Sequence, residues 1–322
     1  MSLPDEKEIL MFGSDPVIDL RSTLSARALQ LVFRPMFRYQ SAGRHVQFAT
    51  KPIAKPERIT VRTRHGNVRT LLYSPTAESV TAWHAAGRRP PVHLIVHGGG
   101  FIVRVPMQED NVARYLASEV GAYVLIPDYD TAPKVRFPVS EEQSYDVFRW
   151  IQANAQSRGW DGDRVSVGGP SAGGKHALSV VTMAIDDGGR LPVAVTAEYA
   201  AADMALAPSA RTSAKKNPVV PPQLVDLIQR TYFKGVDLTS PLASPNRYPR
   251  LAEFPPTLVL TAEYDTLRDE MNALAADLAE RGVQVTHRQF DGVDHGFTHF
   301  PPVEVAREAI AMIGEHLRKA YA

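Results

Sequence analysis

The sequence of 322 residues contains no cysteine. This absence excludes a disulfide framework, a zinc–thiolate site and a cysteine nucleophile. The first ten residues, MSLPDEKEIL, are polar and acidic, whereas a signal peptide has a basic start and an apolar centre. Both observations suit a reducing compartment, and we expect a cytoplasmic protein.

An excess of charge and long apolar runs are also missing. Lys and Arg number 36 against 35 Asp and Glu, which gives a formal net charge of +1. Because no long-range positive field is available to attract phosphates, we expect no nucleic-acid partner. No run approaches the roughly 18 apolar residues of a membrane span. The composition, 44% hydrophobic and 22% charged, is ordinary for a globular enzyme.

From residue 92 onward, short apolar runs alternate with segments of helical length. This alternation predicts an α/β fold, with a mostly parallel sheet covered by helices on both faces. Alternating apolar and polar residues around residues 64–67 (RHGN) predict an antiparallel hairpin before it. Strands are predicted at 59–63, 68–73, 92–96, 122–127, 164–168, 193–199, 256–262 and 283–290, and helices at 110–120, 140–157, 172–186, 268–281 and 303–320.

Residues 203–250 interrupt this alternation, because they contain no predicted strand and are rich in Pro, Ser and Lys around one helical patch at 222–233. An insertion of this length is usually functional or disordered. We predict that it forms a cap together with residues 1–50, over an α/β domain at 51–322. The cap carries apolar residues that would line a pocket beneath it or, equally, form only the core of the cap: Leu20, Leu24, Leu31, Phe33, Met36, Phe37, Leu224, Leu227 and Tyr232.

A predicted strand and a predicted helix flank residues 169–173 (GPSAG). This segment fits the G-x-S-x-G nucleophile turn in its strand–turn–helix context. In such a turn the serine has a strained backbone, and the two glycines let the strand and the helix approach each other. The serine hydroxyl then lies near the N-terminus of the helix, where negative charge is favoured. Ser171 is therefore the candidate nucleophile, although the pattern alone also fits a glycine-rich turn.

The same residues overlap the start of a phosphate-binding loop, since residues 169–175 match G-x-x-x-x-G-K. That motif continues with a Ser or Thr that binds magnesium, and here His176 follows. There is also no clear partner strand that ends in a magnesium-binding Asp. These two differences favour a hydrolase over a nucleotide-binding protein.

Three glycines, Gly98, Gly99 and Gly100, follow the predicted strand 92–96 after a single histidine. Their backbone N–H groups are accessible, and in hydrolases such a segment lies opposite the nucleophile turn. Together with the N–H of Ala172, these groups would stabilise the oxyanion of an acyl-transfer reaction. Taken alone, the glycine run also fits a flexible turn.

An acid and a histidine follow Ser171 in the chain order that a serine hydrolase requires. Asp265 comes just after the predicted strand 256–262, at the sheet edge where α/β proteins bind ligands. It would orient the histidine, or it could instead cap the next helix. His295 follows the last predicted strand and would accept the proton of Ser171. Glu263 and Asp269 are the alternative acids.

A metal site is the other interpretation of this region, since His295 and His299 lie four residues apart. They lie on a loop bounded by Gly and Pro, and the sequence suggests no third ligand. A zinc site needs at least three protein ligands. We therefore expect no metal.

Together these segments resemble the hormone-sensitive-lipase-like branch of the α/β hydrolases. The motifs appear in that family's order and approximate spacing, and the resemblance covers residues 60–320. It implies an α/β-hydrolase fold with a helical cap and a triad of Ser171, Asp265 and His295. It also implies hydrolysis of small carboxylic esters with short to medium acyl chains, through an acyl-enzyme and without a cofactor. The matching segments are 97–101 (HGGGF), 169–174 (GPSAGG), 265–269 (DTLRD) and 293–297 (VDHGF), and more loosely 128–134 (DYDTAPK), 137–138 (FP) and 240–242 (SPL).

Two residues beside the nucleophile depart from the family's pattern. Pro170 stands where Asp is usual, and proline lacks an N–H. Lys175 stands where Asn is common. A buried cation at this position would perturb nearby charges, but we expect a solvated helix face. These departures affect the expected substrate range more than the reaction class. An amidase or formamidase with the same triad, or a ligand receptor on a hydrolase scaffold, stays open as an alternative, and a homodimer is compatible with either.

Overall fold

The computed structural model describes residues 20–41 and 44–322. Eight strands form one sheet in the order β1-β2-β4-β3-β5-β6-β7-β8. The first two pair antiparallel, β2 pairs antiparallel with β4, and every later pair is parallel. The strands are β1 (Glu57–Thr63), β2 (Gly66–Tyr73), β3 (Val92–Ile95), β4 (Tyr123–Pro127), β5 (Val165–Pro170), β6 (Val195–Glu198), β7 (Thr257–Ala262) and β8 (Val285–Phe290).

Within residues 20–41 and 44–322, eight α-helices connect or cover these strands. They are α1 (Leu20–Ser41), α2 (Ala77–Ala85), α3 (Asp110–Tyr115), α4 (Val139–Asn154), α5 (Ala172–Asp186), α6 (Pro222–Thr231), α7 (Arg268–Glu280) and α8 (Val303–Tyr321). The α/β fold, the hairpin and the eight predicted strands are confirmed, and their bounds differ by up to two residues.

The helix α2 was not predicted from the sequence. Its N-terminus is capped by Thr76, whose side chain accepts a hydrogen bond from Ser79 N. None of its residues is fully buried, so it has no apolar stripe from which a helical period could be recognised. The predicted helix 110–120 also changes character, since α3 continues into a π-helical turn, Leu116–Val120, that ends at Gly121 with φ +70°.

The core lies on both faces of the sheet. On one face α4, α5 and α7 pack against the strands, and on the other α8 and α3 do so. The central parallel strands are accordingly buried on both sides: β3, β5, β6 and β7 contain only buried residues. This two-sided burial explains why these strands are continuous apolar runs in the sequence.

A third apolar cluster lies above the carboxyl ends of the strands. There α1 and α6 pack together over the segment that follows β3. Gln30 on α1 donates hydrogen bonds to the carbonyls of Ile102 (2.8 Å) and Ala132 (3.0 Å), which fixes this helix above the carboxyl ends of the strands. Residues 1–19 of the predicted cap lie outside the described residues. Among residues 20–41 and 44–322, no helix has the length and hydropathy needed to cross a membrane.

Candidate active site

The turn between β5 and α5 has the geometry expected of a nucleophile turn. Ser171 has φ +56° and ψ −126°, a conformation that is strained for a residue with a side chain. Its N–H donates to the carbonyl of Glu198 at 2.8 Å. Gly173 is required because a Cβ at this position would lie 1.8 Å from the carbonyl oxygen of Val96. The turn therefore brings α5 against the strand that precedes the glycine loop.

Three side chains meet at the carboxyl edge of the sheet. Ser171 Oγ lies 2.9 Å from His295 Nε2, and His295 Nδ1 lies 2.8 Å from Asp265 Oδ2. Asp265 is 1% exposed and His295 8%. The second oxygen of Asp265 accepts a hydrogen bond from Leu267 N at 3.0 Å, which fixes the carboxylate plane. The structure thus brings together the serine, acid and histidine selected from the sequence.

The alternative acids do not contact His295 in the structure. Glu263 Oε2 accepts from Gly292 N at 2.7 Å. Asp269 accepts from Arg268 Nε at 2.7 Å and is largely exposed. Asp265 is the carboxylate that binds the imidazole.

The carboxylate of Asp294 joins the histidine loop to the cap insertion. Its Oδ1 accepts from the N–H of His295 at 2.7 Å. Its Oδ2 accepts from Lys215 Nζ and from Val219 N, each at 3.0 Å. We call residues 213–220 the strap. The strap is also held by Ser213, which donates to the carbonyl of Tyr264 at 2.6 Å.

The glycine loop after β3 follows a left-handed path. Gly99 has φ +124° and Gly100 φ +58°, and a Cβ on Gly99 would lie 2.2 Å from the carbonyl of Val103. The carbonyl of Gly99 accepts from Ile102 N and Val103 N, so the loop is a closed turn. Gly98 differs from the other two, because its N–H donates to Glu109 Oε1 at 3.4 Å.

A buried histidine supports this loop from below. Burial lowers the pKa of His97 to about 4, so its imidazole is neutral at physiological pH. Its Nδ1 lies 2.6 Å from the carbonyl of Gly98, and its ring stacks on Tyr129 with centroids 4.3 Å apart. Tyr129 donates its hydroxyl to the carbonyl of His97 at 2.8 Å.

An apolar pocket opens at Ser171 and His295. Its wall comes from the glycine loop, from α6, from one residue of α1, from the strap and from the loops that follow β6, β7 and β8. Gly99, Gly100 and Ala172 border the pocket beside Ser171. The apolar and aromatic side chains that line it are Leu29, Phe101, Val103, Ala172, Tyr199, Ala201, Met204, Val219, Val220, Leu224, Val225, Ile228, Leu267 and Phe300.

The apolar cap residues selected from the sequence divide between the pocket, the cap core and the surface. Leu224 lines the pocket, whereas Leu227 and Tyr232 pack in the third apolar cluster, the alternative left open by the sequence. The side chains of Leu20, Leu24 and Leu31 face solvent, and Leu29 takes their place. Helical spacing alone did not reveal which face of α1 is turned inward. The side chains of Phe33, Met36 and Phe37 lie outside the described residues.

The expected solvated position of Lys175 is wrong, and the buried alternative is the one observed. Its side chain is completely buried, and its Nζ lies 2.5 Å from Glu141 Oε1. Burial alone raises the pKa of Glu141, but the Lys175 ammonium and His176 outweigh it, so that the net pKa is lowered. His176, the residue that breaks the phosphate-loop motif, is buried against Phe101 and Tyr129.

Two acidic residues near the site were missed by the sequence analysis. Glu109 is buried and lies 3.3 Å from His299 Nε2 through its Oε2. Glu198, at the end of β6, is 4% exposed, and its Oε1 has no hydrogen-bond partner among the described residues. Burial raises the pKa of Glu198 to about 7. The signal for Glu198 was a lone acid in an otherwise apolar strand.

In the described part of the chain, no group of three or more His, Asp or Glu side chains is arranged to hold a metal ion. His295 faces Ser171 and His299 faces Glu109, so the two histidines are not directed at a common point.

The sequence model of the alpha/beta hydrolase fold family matches residues 93–299. Esterase LipI of Mycobacterium tuberculosis is 32% identical over 217 residues, which are 66% of this chain and 67% of that protein. An arylesterase of Saccharolobus solfataricus is 31% identical over 228 residues, 70% of this chain and 73% of that protein.

The fold is similar to that of solved esterases. The structure of an esterase from Pyrobaculum calidifontis has a TM-score of 0.80 and 33% sequence identity, and the match covers 92% of this chain and 97% of that one. EstE1, a thermostable carboxylesterase from a metagenomic library, also has a TM-score of 0.80, at 28% identity.

Proposed function

The chain belongs to the α/β-hydrolase fold family, in its hormone-sensitive-lipase-like esterase branch, and from this premise we propose that Ser171 is the nucleophile with which it hydrolyses carboxylic esters. The observation that carries the proposal is the hydrogen-bonded series Ser171–His295–Asp265 at the mouth of an apolar pocket. Esterases among its relatives support the reaction class.

In the first half of the reaction, His295 Nε2 accepts the proton of Ser171 as the hydroxyl oxygen attacks the ester carbonyl. The distance of 2.9 Å between these atoms suits a direct transfer. Asp265 holds Nδ1 protonated and stabilises the imidazolium that forms. His295 then donates its proton to the leaving alcohol, and the acyl group stays on Ser171. In the second half, water loses a proton to His295 and attacks the acyl-enzyme, and Ser171 is regenerated with release of the acid.

For the oxyanion we propose the backbone N–H groups of Gly99, Gly100 and Ala172. All three residues border the pocket beside Ser171, and each such donor lowers the barrier by about 3–4 kcal/mol. Gly98 was included in the prediction from the sequence. Its N–H donates to Glu109 instead, so we assign it to holding the loop rather than to binding the substrate.

The substrate class follows from the pocket wall. Aliphatic and aromatic side chains of α1, α6 and the glycine loop surround the space next to Ser171, which favours an apolar acyl group of short to medium length. We propose residues 1–50 and 203–250 as the cap and 51–322 as the catalytic domain. The packing of α1 on α6 above the site supports this division.

The test is hydrolysis of p-nitrophenyl acetate and butyrate by the wild type and by Ser171→Ala. We expect the substitution to lower kcat by a factor of about 10⁴–10⁶. Ser157→Ala, at an exposed serine beyond α4, is the control and should keep full activity. A fluorophosphonate should add covalently to Ser171, as read by mass spectrometry of the peptide. Activity that survives in Ser171→Ala would refute the assignment.

We further propose a cytoplasmic location and a homodimer. The absence of cysteine supports the first. The edge strand β8 supports the second, because its outer side pairs with no other strand in the described part of the chain. Light scattering coupled to size exclusion tests the dimer, and a mass of 35.4 kDa would contradict it.

A further inference from the structure

The helix that follows the nucleophile carries a lysine without access to solvent. Lys175 lies one turn after Ser171, and its N–H donates to the carbonyl of Ser171 at 3.2 Å. The side chains of Lys175 and Glu141 are both 0% exposed. The ammonium also lies over the ring of Phe137, 5.0 Å from its centroid. The ion pair thus joins α5 to α4 inside the protein.

The second oxygen of Glu141 binds the cap. Tyr232, the residue that follows α6, is fully buried and donates its hydroxyl to Glu141 Oε2. The same hydroxyl accepts from Ser140 N at 3.1 Å, and the Tyr232 carbonyl accepts from Phe137 N at 2.9 Å. The end of the cap helix is therefore fixed to the start of α4 by three hydrogen bonds.

The ring of Tyr232 also contacts the glycine loop. It stacks on Phe101, with ring centroids 5.2 Å apart and an interplanar angle of 13°. Phe101 has φ +60° and directly follows Gly100. On α6 itself, Ile228 Cδ1 lies 3.5 Å from the position of a Cβ on Gly100. The position of α6 consequently decides how closely its side chains approach the pocket.

A buried ion pair contributes little net stability, because the cost of removing two charges from water offsets their attraction. Apolar side chains of similar volume would fill the same space at similar stability. The ion pair differs from such packing because hydrogen bonds are directional, and each oxygen of Glu141 accepts from a donor on a different element. These hydrogen bonds are suited to fix the position of the end of α6 relative to α4 and α5 rather than to add stability.

We propose that Lys175, Glu141 and Tyr232 form a positioning cluster that fixes α6 over the acyl pocket and thereby determines which acyl chains the enzyme prefers. The inference rests on the proposed function. None of the three residues is among those that line the pocket. Leu224, Val225 and Ile228 of α6 do line it, so a displaced helix changes the wall that longer acyl chains contact.

The experiment compares p-nitrophenyl hexanoate with p-nitrophenyl acetate in Tyr232→Phe. This variant removes the hydroxyl and keeps the ring that stacks on Phe101. Because a hydrogen bond to a charged group is lost, we expect the ratio of kcat/KM for hexanoate to that for acetate to fall about tenfold. The change should be in KM for hexanoate, while kcat for acetate changes less than about twofold. Amide hydrogen exchange of residues 222–233 should become faster.

The matched control is Tyr248→Phe. Tyr248 is also buried, and its hydroxyl donates to Asp186 Oδ1 at 2.6 Å, at the far end of α5. The Tyr248→Phe substitution should lower Tm without changing the ratio of kcat/KM for hexanoate to that for acetate. An unchanged ratio in Tyr232→Phe, or an equal change in Tyr248→Phe, would overturn the proposal.

A second variant covers the case in which Tyr232→Phe does not fold. Replacing the pair together, Lys175→Leu with Glu141→Leu, leaves no unpaired buried charge. It should fold and show the same fall in the ratio, and a wild-type ratio would overturn the proposal. If the wild type cleaves no ester, the proposed function fails, whereas faster exchange at 222–233 in the variants would still support the positioning cluster.

Discussion

Asp265 uses both of its oxygens, one for the imidazole and one for Leu267 N. An asparagine would keep the shape but could present its NH₂ group to His295, which favours the wrong tautomer. We expect Asp265→Asn to lower kcat about 10⁴-fold with little change in KM for p-nitrophenyl butyrate. Asp269→Asn, four residues further along, is the control and should be close to wild type. A large loss in that control would mean that Asp269 is the acid.

The raised pKa of Glu198 predicts how the stability of the folded protein depends on pH. Burial raises its pKa to about 7 in the folded state, whereas an unfolded chain has the ordinary value of about 4.3. Between these values the folded state binds the proton and the unfolded state does not. The contribution of Glu198 is therefore complete below about pH 4.3 and is lost as the pH rises through about 7, a loss on the order of 3 kcal/mol.

The variant Glu198→Gln should consequently unfold at higher urea than the wild type at pH 8 and at similar urea at pH 4.5. Urea titrations at the two pH values measure this difference. A Glu198→Gln variant that is destabilised equally at both would show that the carboxyl is ionised throughout.

Single residues differ in how far the sequence predicts them. Ser171, Asp265 and His295 were found because each lies in a short motif just after a strand, and parallel strands end at one edge. The burial of Lys175 could not be predicted, because its partner Glu141 is 34 residues away on another helix. Pairings of this kind depend on how helices pack and leave no local pattern.

At the scale of elements, the contact between α5 and β3 depends on Gly173. An alanine Cβ there would meet the Val96 carbonyl at 1.8 Å, so helix and strand must separate. We expect Gly173→Ala to lose about 1–3 kcal/mol of unfolding free energy and about 100-fold in kcat/KM, because Ser171 is displaced. Gly159→Ala is the comparison, since a Cβ there has free space and only its φ of +72° is unfavourable. It should keep its activity.

The strands and long helices were predictable because burial on two faces or on one stripe leaves a period in the sequence. The cap was less predictable. In α1 the leucines Leu20, Leu24 and Leu31 are exposed, so the apolar residues do not mark one face of the helix. The inner face, which carries Ala26 and Leu29, could therefore not be recognised. The strap has no regular structure at all, and its position depends on hydrogen bonds to the histidine loop.

For the whole molecule, two buried histidines predict acid sensitivity. Burial lowers the pKa of His93 to about 3 and that of His97 to about 4, from an ordinary value of about 6.5. Below pH 6.5 the two imidazoles bind protons in the unfolded chain but stay neutral in the folded protein. Stability should therefore fall as the pH drops from about 6.5 to 4, by roughly 3 kcal/mol for each histidine. Glu198 acts in the opposite direction, because its contribution to stability grows as the pH falls.

Urea unfolding at several pH values between 4 and 7 measures the slope. His93→Gln should make it shallower, because one of the contributing groups is removed, whereas His84→Gln, at an exposed residue of α2, should leave it unchanged. A slope that is the same in all three proteins would contradict the assignment.

The three hydrogen bonds of Asp294 link the strap to the loop that carries His295. Two of its donors, Lys215 and Val219, belong to the strap, and the third is the N–H of His295 itself. Val219 and Val220 of the strap also line the pocket, so one carboxylate fixes both a part of the pocket wall and the backbone of the proposed base. Lys215 is 46% exposed and Asp294 8%, so added salt should weaken this ion pair at its exposed end. Turnover should therefore depend on ionic strength through this one contact.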